Sequence, residues 1–92
     1  MRTCTYMIGY DIHPTQGDTY DELNEALKAY PYWWHHLDST WFIVTDRTAP
    51  EILHNLKQHM KVEEQLVVMK TCGIGAWSGC TEHGAKWLTD NI

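Results

Sequence analysis

The sequence predicts one α+β domain whose elements follow in the order β-α-β-β-α-β. Four segments are rich in β-branched and aromatic residues, and two segments between them carry apolar residues at a spacing of three and four. Each helical segment begins with a capping-box pattern, in which a threonine is followed three residues later by a glutamate. With 92 residues, 43% of them hydrophobic, the chain is long enough for a single small core.

The first strand is predicted over residues 3–12, an apolar and β-branched stretch that delivers the carboxylate of Asp11 at its carboxyl end. The first helix is expected to begin at Thr19, because Glu22 completes a capping box with it. Apolar residues then recur at helical spacing until Pro31, which ends the helix.

A β-hairpin is predicted next, with strands over 32–37 and 40–45 and a turn at 38–39. The second helix is expected to follow Thr48, whose capping box includes a proline in the first turn. A fourth strand is predicted over 65–71. This order is that of the split βαβ, ferredoxin-like arrangement, with an antiparallel four-stranded sheet and both helices on one face.

We divide the single domain into a ferredoxin-like unit, residues 1–72, and a C-terminal docking tail, residues 73–92. The tail starts with a glycine-punctuated link and continues into a short helix predicted over 81–88. Gly84 weakens that helix by about 1 kcal/mol relative to alanine. The side chains expected to dock the tail, on its own sheet or on that of a neighbour, are Trp77, Trp87 and Leu88.

The predicted strands are apolar on both faces. In the first strand Ile8 and Met7 point to opposite sides, and in the third strand Trp41 and Phe42 do the same. Two helices cover only one face of the sheet. We therefore expect a second copy of the chain to cover the other face, which predicts a homodimer or a higher oligomer.

Composition restricts the class of partner. A formal net charge of −5 argues against long duplex DNA, because non-specific affinity for it comes mainly from lysine and arginine. No signal-peptide pattern and no apolar run of the ~20 residues that span a bilayer is present. Three cysteines without a close-spaced pair fit a reduced, cytoplasmic setting.

Asp11 is the candidate catalytic and metal-binding residue. A carboxylate at this place could bind Mg²⁺ or Mn²⁺, since Mg²⁺ keeps several waters and needs only one or two protein carboxylates. Two copies that face each other across a dimer could share one ion. His13 is the candidate proton-transfer group beside a metal-bound water. The alternatives are that Asp11 bonds to backbone in the following loop and that His13 is a solvated loop residue.

Aromatic residues form a second candidate site. Imidazoles flanked by indoles could hold a nucleobase by stacking, at about 1–3 kcal/mol per base. The alternative is that these rings pack at an interface between chains. The candidate binding residues are Trp33, Trp34, His35, His36, Trp41 and Trp77.

Two further groups carry ligand-type side chains. Cys72, Cys80 and His83 could supply three zinc ligands, but their spacing matches no closed four-ligand pattern. The second group could meet a phosphate or form a solvated helix face, and it consists of His54, Lys57 and Lys61.

The stretch 6–12, followed by a unit of this size and order, resembles the small CRISPR-associated endoribonuclease of spacer acquisition and its relative, virulence-associated protein D. The whole chain more closely resembles short bacterial and phage proteins labelled "SinR family". The segments that carry this closer resemblance are 9–11, 37–41, 44–46, 76–79 and 87–88.

The nuclease resemblance implies a homodimer in which the Asp11 pair lies near the interface and binds a divalent metal for phosphodiester hydrolysis. The chain departs from that pattern, because no arginine follows Asp11 until Arg47. Two functions are therefore predicted. The first is a metal-dependent ribonuclease or small phosphodiesterase. The alternative is a non-catalytic oligomeric binding protein for a small nucleotide or a host protein, of the kind used by phages or mobile elements in counter-defence.

Overall fold

The computed structural model of the chain describes residues 3–12 and 21–92. Its elements are β1 (Cys4–Asp11), α1 (Asp21–Lys28), β2 (Tyr32–Leu37), β3 (Thr40–Thr45), α2 (Ala49–Lys57), β4 (Gln65–Lys70) and α3 (Glu82–Asn91). The predicted order of strands and helices is confirmed, including the short helix in the tail. The capping box predicted at Thr19 and the candidate residue His13 lie outside the described residues.

The four strands form one sheet in the order β2-β3-β1-β4, and every neighbouring pair is antiparallel. Ile8 on β1 lies opposite Trp41 on β3 and Val68 on β4. The hairpin of β2 and β3 turns at Asp38 and Ser39, as predicted. The part of the chain that the structure describes therefore has an α+β fold with an antiparallel four-stranded sheet and three helices.

One face of the sheet packs against α1 and α2, and we call it the core face. Side chains four residues apart lie on one side of a helix, so Leu23 and Leu27 point inward together, as do Ile52 and Leu56. The buried cluster on this face consists of Tyr6, Ile8, Trp41 and Ile43 from the strands and Leu23, Leu27, Ile52 and Leu56 from the helices. Burial of each aliphatic side chain contributes about 1.5–3 kcal/mol.

The amino end of α2 carries the predicted capping box. The Glu51 backbone N–H donates to the Thr48 hydroxyl at 3.3 Å, and the Thr48 backbone N–H donates to the Glu51 carboxylate at 3.1 Å. These two bonds satisfy amide groups that the helix itself leaves without an acceptor. The hydrogen bonds from the Thr48 backbone and hydroxyl, and after them the nearby Arg47, hold the pKa of Glu51 below its ordinary value of 4.5.

The opposite face of the sheet is here called the α3 face. It carries every second residue of β1, β3 and β4, which the pairing register arranges in rows across the sheet. In β2 a register shift between Trp34 and Leu37 places both of these residues on this face. One row runs through Met69, Met7, Phe42 and Trp34. The next row runs through Val67, Gly9, Thr40 and Leu37.

Helix α3 crosses one end of the α3 face. Near its amino end the Trp34 indole N–H donates to the carbonyl of Gly84 at 3.1 Å, which ties the helix to β2. At its carboxyl end the Thr5 hydroxyl donates to the carbonyl of Asn91, which ties it to β1. Between these anchors Leu88 is buried. The tail therefore docks on its own sheet.

The docking of the tail on its own sheet accounts for part of the apolar second face, and it is one of the two placements that the sequence allows for the tail. The expected second copy of the chain over this face stays a prediction. Helix α3 of the same chain covers part of it, and Val44 beneath it is buried. Val67 and Met69, which lie on the same face beyond the helix, remain exposed.

Gly84, which weakens α3 as an isolated helix, is buried where the helix meets the sheet. A Cβ at this position would lie 3.2 Å from the Thr81 hydroxyl, 3.4 Å from the Trp34 indole nitrogen and 3.5 Å from the His36 ring. Glycine therefore lets the helix approach β2 closely enough for the indole hydrogen bond.

None of the helices within residues 3–12 and 21–92 combines the length and apolar character needed to cross a bilayer.

The capping box predicts a pH dependence of stability. Because the folded pKa of Glu51 is lowered, its stabilising effect is fully present above pH 4.5 and is lost as the pH falls through the lower folded pKa. We expect Glu51→Gln to keep the cap and to make the free energy of unfolding less pH-dependent between about pH 3 and 5. Urea unfolding across this range measures the effect, and equal slopes for the variant and the parent would contradict it.

The close approach at Gly84 predicts that a large side chain there displaces α3. We expect Gly84→Leu to cost about 1–3 kcal/mol and to speed amide hydrogen exchange across the helix, because the side chain would overlap Trp34. His83→Leu is the matched control, since it introduces the same side chain at an exposed position of the same helix. Unchanged protection of α3 in Gly84→Leu would show that the contact does not hold the helix.

Candidate functional site on the α3 face

A groove of about 550 Å³ lies between the sheet, α3 and the segment 72–80. We call it the tail groove. Its floor is a single cross-strand row, formed by Met69, Met7, Phe42 and Trp34. Its walls come from the tail, with Ile74, Trp77, Leu88 and Ile92 as their apolar side chains.

Two glycines shape the outer wall. Gly73 has φ of 84° and Gly79 has φ of 75°, and this left-handed region is strained for residues with a side chain. They stand at the two ends of the segment that leaves β4 and returns to α3. A hydrogen bond of 3.2 Å from the Thr71 hydroxyl to the carbonyl of Ile92 joins the start of this segment to the end of the chain.

The floor of the tail groove is held by the packing around Trp34. Its ring meets Phe42 edge-on, with centroids 5.3 Å apart and planes at 76°. The indole N–H is already bonded to Gly84, so the ring cannot turn without breaking that bond. Aromatic pairs in this geometry contribute about 0.5–1.5 kcal/mol beyond their burial.

The side chains that line the groove are almost all uncharged. Among the described residues that line it, Lys70 alone has a charged side chain, and it pairs in register with Tyr6 of the core face. Residues directly opposite in a sheet point to the same side, so the Lys70 side chain leaves the strand on the core face. The Thr71 hydroxyl at the rim is engaged with the carbonyls of Thr5 and Ile92.

The aromatic residues predicted as one binding set are divided between the two faces. On the core face Trp41 is fully buried, and the His35 ring stacks on it with centroids 3.9 Å apart and planes at 9°. Trp33 lies 5.4 Å from Trp41 and is 41% exposed. Trp41 therefore offers no free ring face to a nucleobase.

A hydrogen-bond chain gives Trp41 a structural role. Its indole N–H donates to the Tyr10 hydroxyl at 3.1 Å, and that hydroxyl donates to the carbonyl of Asp38 at 3.3 Å. The His35 Nε2 lies 3.4 Å from the same carbonyl. These contacts hold the hairpin turn against β1.

The remaining members of the aromatic set belong to the α3 face. Trp34 and Trp77 both line the tail groove, and the His36 ring lies 4.8 Å from Trp34. Two of the predicted binding residues are thus brought together in a concave site, although not as a stacking platform.

Asp11 is exposed at the carboxyl end of β1, on the α3 face. It lies directly opposite Gln65 of β4, and the side chains of such a pair lie side by side. Carboxylate and amide oxygens are donors that Mg²⁺ accepts, so these two residues fit part of a coordination shell. Within the described residues, no three His, Cys, Asp or Glu side chains gather where they could hold a metal ion.

The cysteines are free thiols, and Cys72 and Cys80 both line the tail groove. The predicted phosphate-binding row does not converge on one site. His54 lines a cleft with Arg47 on the outer side of α2, whereas Lys57 and Lys61 line a separate hollow.

Comparison of the chain with protein-family models, with curated proteins and with solved structures gave no match. The resemblances inferred from the sequence therefore stay predictions.

The sequence analysis does not predict the tail groove, although it does identify the apolar residues that form the floor of the groove. Met7, Phe42 and Met69 are the apolar residues that made the strands two-faced. This pattern was interpreted as an interface between copies, because the path of the tail over this face depends on contacts between distant residues.

Proposed function

We propose that the chain is a homodimeric binding protein whose contact with a second copy and whose ligand site both lie on the α3 face. The observation that carries this proposal is the concentration of exposed apolar side chains on that face and the adjoining tail. They are Leu37, Val67, Met69, Ile74 and Trp77. Contiguous apolar surface of this kind marks interaction sites in soluble proteins.

The element order and the strand order β2-β3-β1-β4, with antiparallel neighbours throughout, support a finer assignment of the fold. We infer a ferredoxin-like unit at residues 1–72, extended by a tail at residues 73–92 that turns back over the open face of its own sheet.

The part of the α3 face beyond the groove is the proposed dimer contact. Val67 pairs with Gly9 there, and Leu37, which lies in the same cross-strand row, stands at the border because it also lines the tail groove. Nothing lies within 4 Å of the place where a Cβ of Gly9 would be, so the sheet surface is open there. Such a surface can meet its own copy about a two-fold axis, and a stable contact requires about 800 Å² from each partner.

The dimer contact can be tested with a charge at its centre. We expect the parent to sediment as a dimer at about 100 µM, since an interface with a micromolar Kd is occupied at that concentration. Val67→Lys is expected to sediment as a monomer, because it would place an ammonium group in an apolar contact. Val62→Lys is the matched control, since Val62 is fully exposed beside a different hollow. A monomeric parent, or a dimeric Val67→Lys, would refute the proposed contact.

The cross-strand pair of Asp11 and Gln65 favours a second candidate function, a metal-dependent ribonuclease or phosphodiesterase. Both residues belong to the face proposed for the dimer, so a two-fold axis that passes near this end of the sheet would bring two copies of the pair close together. Asp11 would hold the ion and the side-chain oxygen of Gln65 would supply a second ligand, while His13 remains the predicted proton-transfer group. A bound Mg²⁺ or Mn²⁺ would activate a water for attack on phosphorus.

This second function predicts that Asp11→Asn lowers Mg²⁺-dependent RNA cleavage by about 100-fold or more, the scale on which changes at metal sites act. Asp46→Asn serves as control, because it removes an exposed carboxylate that follows β3. Cleavage of labelled RNA with and without a chelator is the measurement. Undiminished activity in a folded Asp11→Asn protein, or no cleavage by the parent, would exclude the nuclease.

A further inference from the structure

We infer that the tail groove binds an uncharged, largely apolar small molecule, of aliphatic or fused-ring type. This inference deepens the proposed binding function and rests on it, because it names the class of ligand. The sequence leaves a small nucleotide and a host protein as alternative ligands, and the inference favours an apolar small molecule over both.

The shape of the groove favours a small molecule over a protein. It has a floor of β-strand residues, one wall from α3 and another from the segment 72–80. Its volume of about 550 Å³ falls within the ~300–1,000 Å³ that is usual for ligand pockets. A partner protein needs a broad and flatter area, and the open row through Val67 and Gly9 provides that separately.

The chemistry of the groove disfavours a nucleotide whose phosphate lies inside it. A phosphate enclosed here would lose its hydration and would need charge-assisted hydrogen bonds in exchange. Lys70 extends toward the core face, and the Thr71 hydroxyl is already bonded within the chain. An uncharged apolar molecule has no such requirement, and it would replace water against indole, phenyl and thioether surfaces.

The groove is preformed, which lowers the cost of binding. Trp34 is held by its bond to Gly84 and by its edge contact with Phe42. Trp77 on the opposite wall is 38% exposed, so part of its ring remains free to contact a ligand.

The probe for this site is N-phenyl-1-naphthylamine, an uncharged dye whose emission rises in apolar surroundings. We expect saturable binding of one dye per chain, and adenosine monophosphate should not displace it. Trp77→Ala should weaken binding at least 10-fold, because it removes a wall of the groove. Trp33→Ala is the matched control, since Trp33 is 41% exposed but lies beside Trp41 on the core face.

Non-saturable binding, displacement by adenosine monophosphate, or equal loss in Trp33→Ala and Trp77→Ala would each overturn the inference. Sedimentation of the same samples separates it from the proposed dimer. If the protein is a dimer but does not bind the dye, only the inferred ligand class is contradicted. If the protein binds the dye as a monomer, only the proposed dimer is contradicted.

Discussion

The docking of α3 on the sheet is the contact on which the rest of the α3 face depends. It is held at one end by the indole of Trp34 bonded to Gly84 and at the other by Thr5 bonded to Asn91. Because both ends are tied to different strands, the helix lies across the sheet rather than along one strand. Its position divides the face into a covered end, a groove and an open end.

The position of α3 explains how the strands of this small domain can be apolar on both faces. A sheet of four strands with helices on one face leaves its other face wet, but the apolar residues of these strands favour cover on both. Helix α3 buries Val44 and Leu88 and so extends the core. Helix α3 does not cover the row through Met7 and Phe42. This row forms the floor of the tail groove.

The same geometry sets the limits of the candidate chemistry. Asp11 lies at the open end, opposite Gln65, and the described residues of one chain do not gather three His, Cys, Asp or Glu side chains there. The proposed phosphodiester hydrolysis therefore relies on water ligands and on the second copy of the pair that a dimer would supply. The tail groove needs no such partner, because a single chain supplies its floor and both walls. This difference makes binding the function that the geometry supports best.

The sequence by itself determined the local structure, because capping at Thr48, apolar spacing and turn residues act over a few neighbours. It also identified both apolar faces of the strands. Only the tertiary structure decided that the tail turns back on its own sheet, that Trp34 and Trp41 point to opposite faces with different partners, and that Met7 and Phe42 form the floor of a groove. These outcomes depend on strand register and on contacts between residues far apart in the chain, which no local pattern specifies.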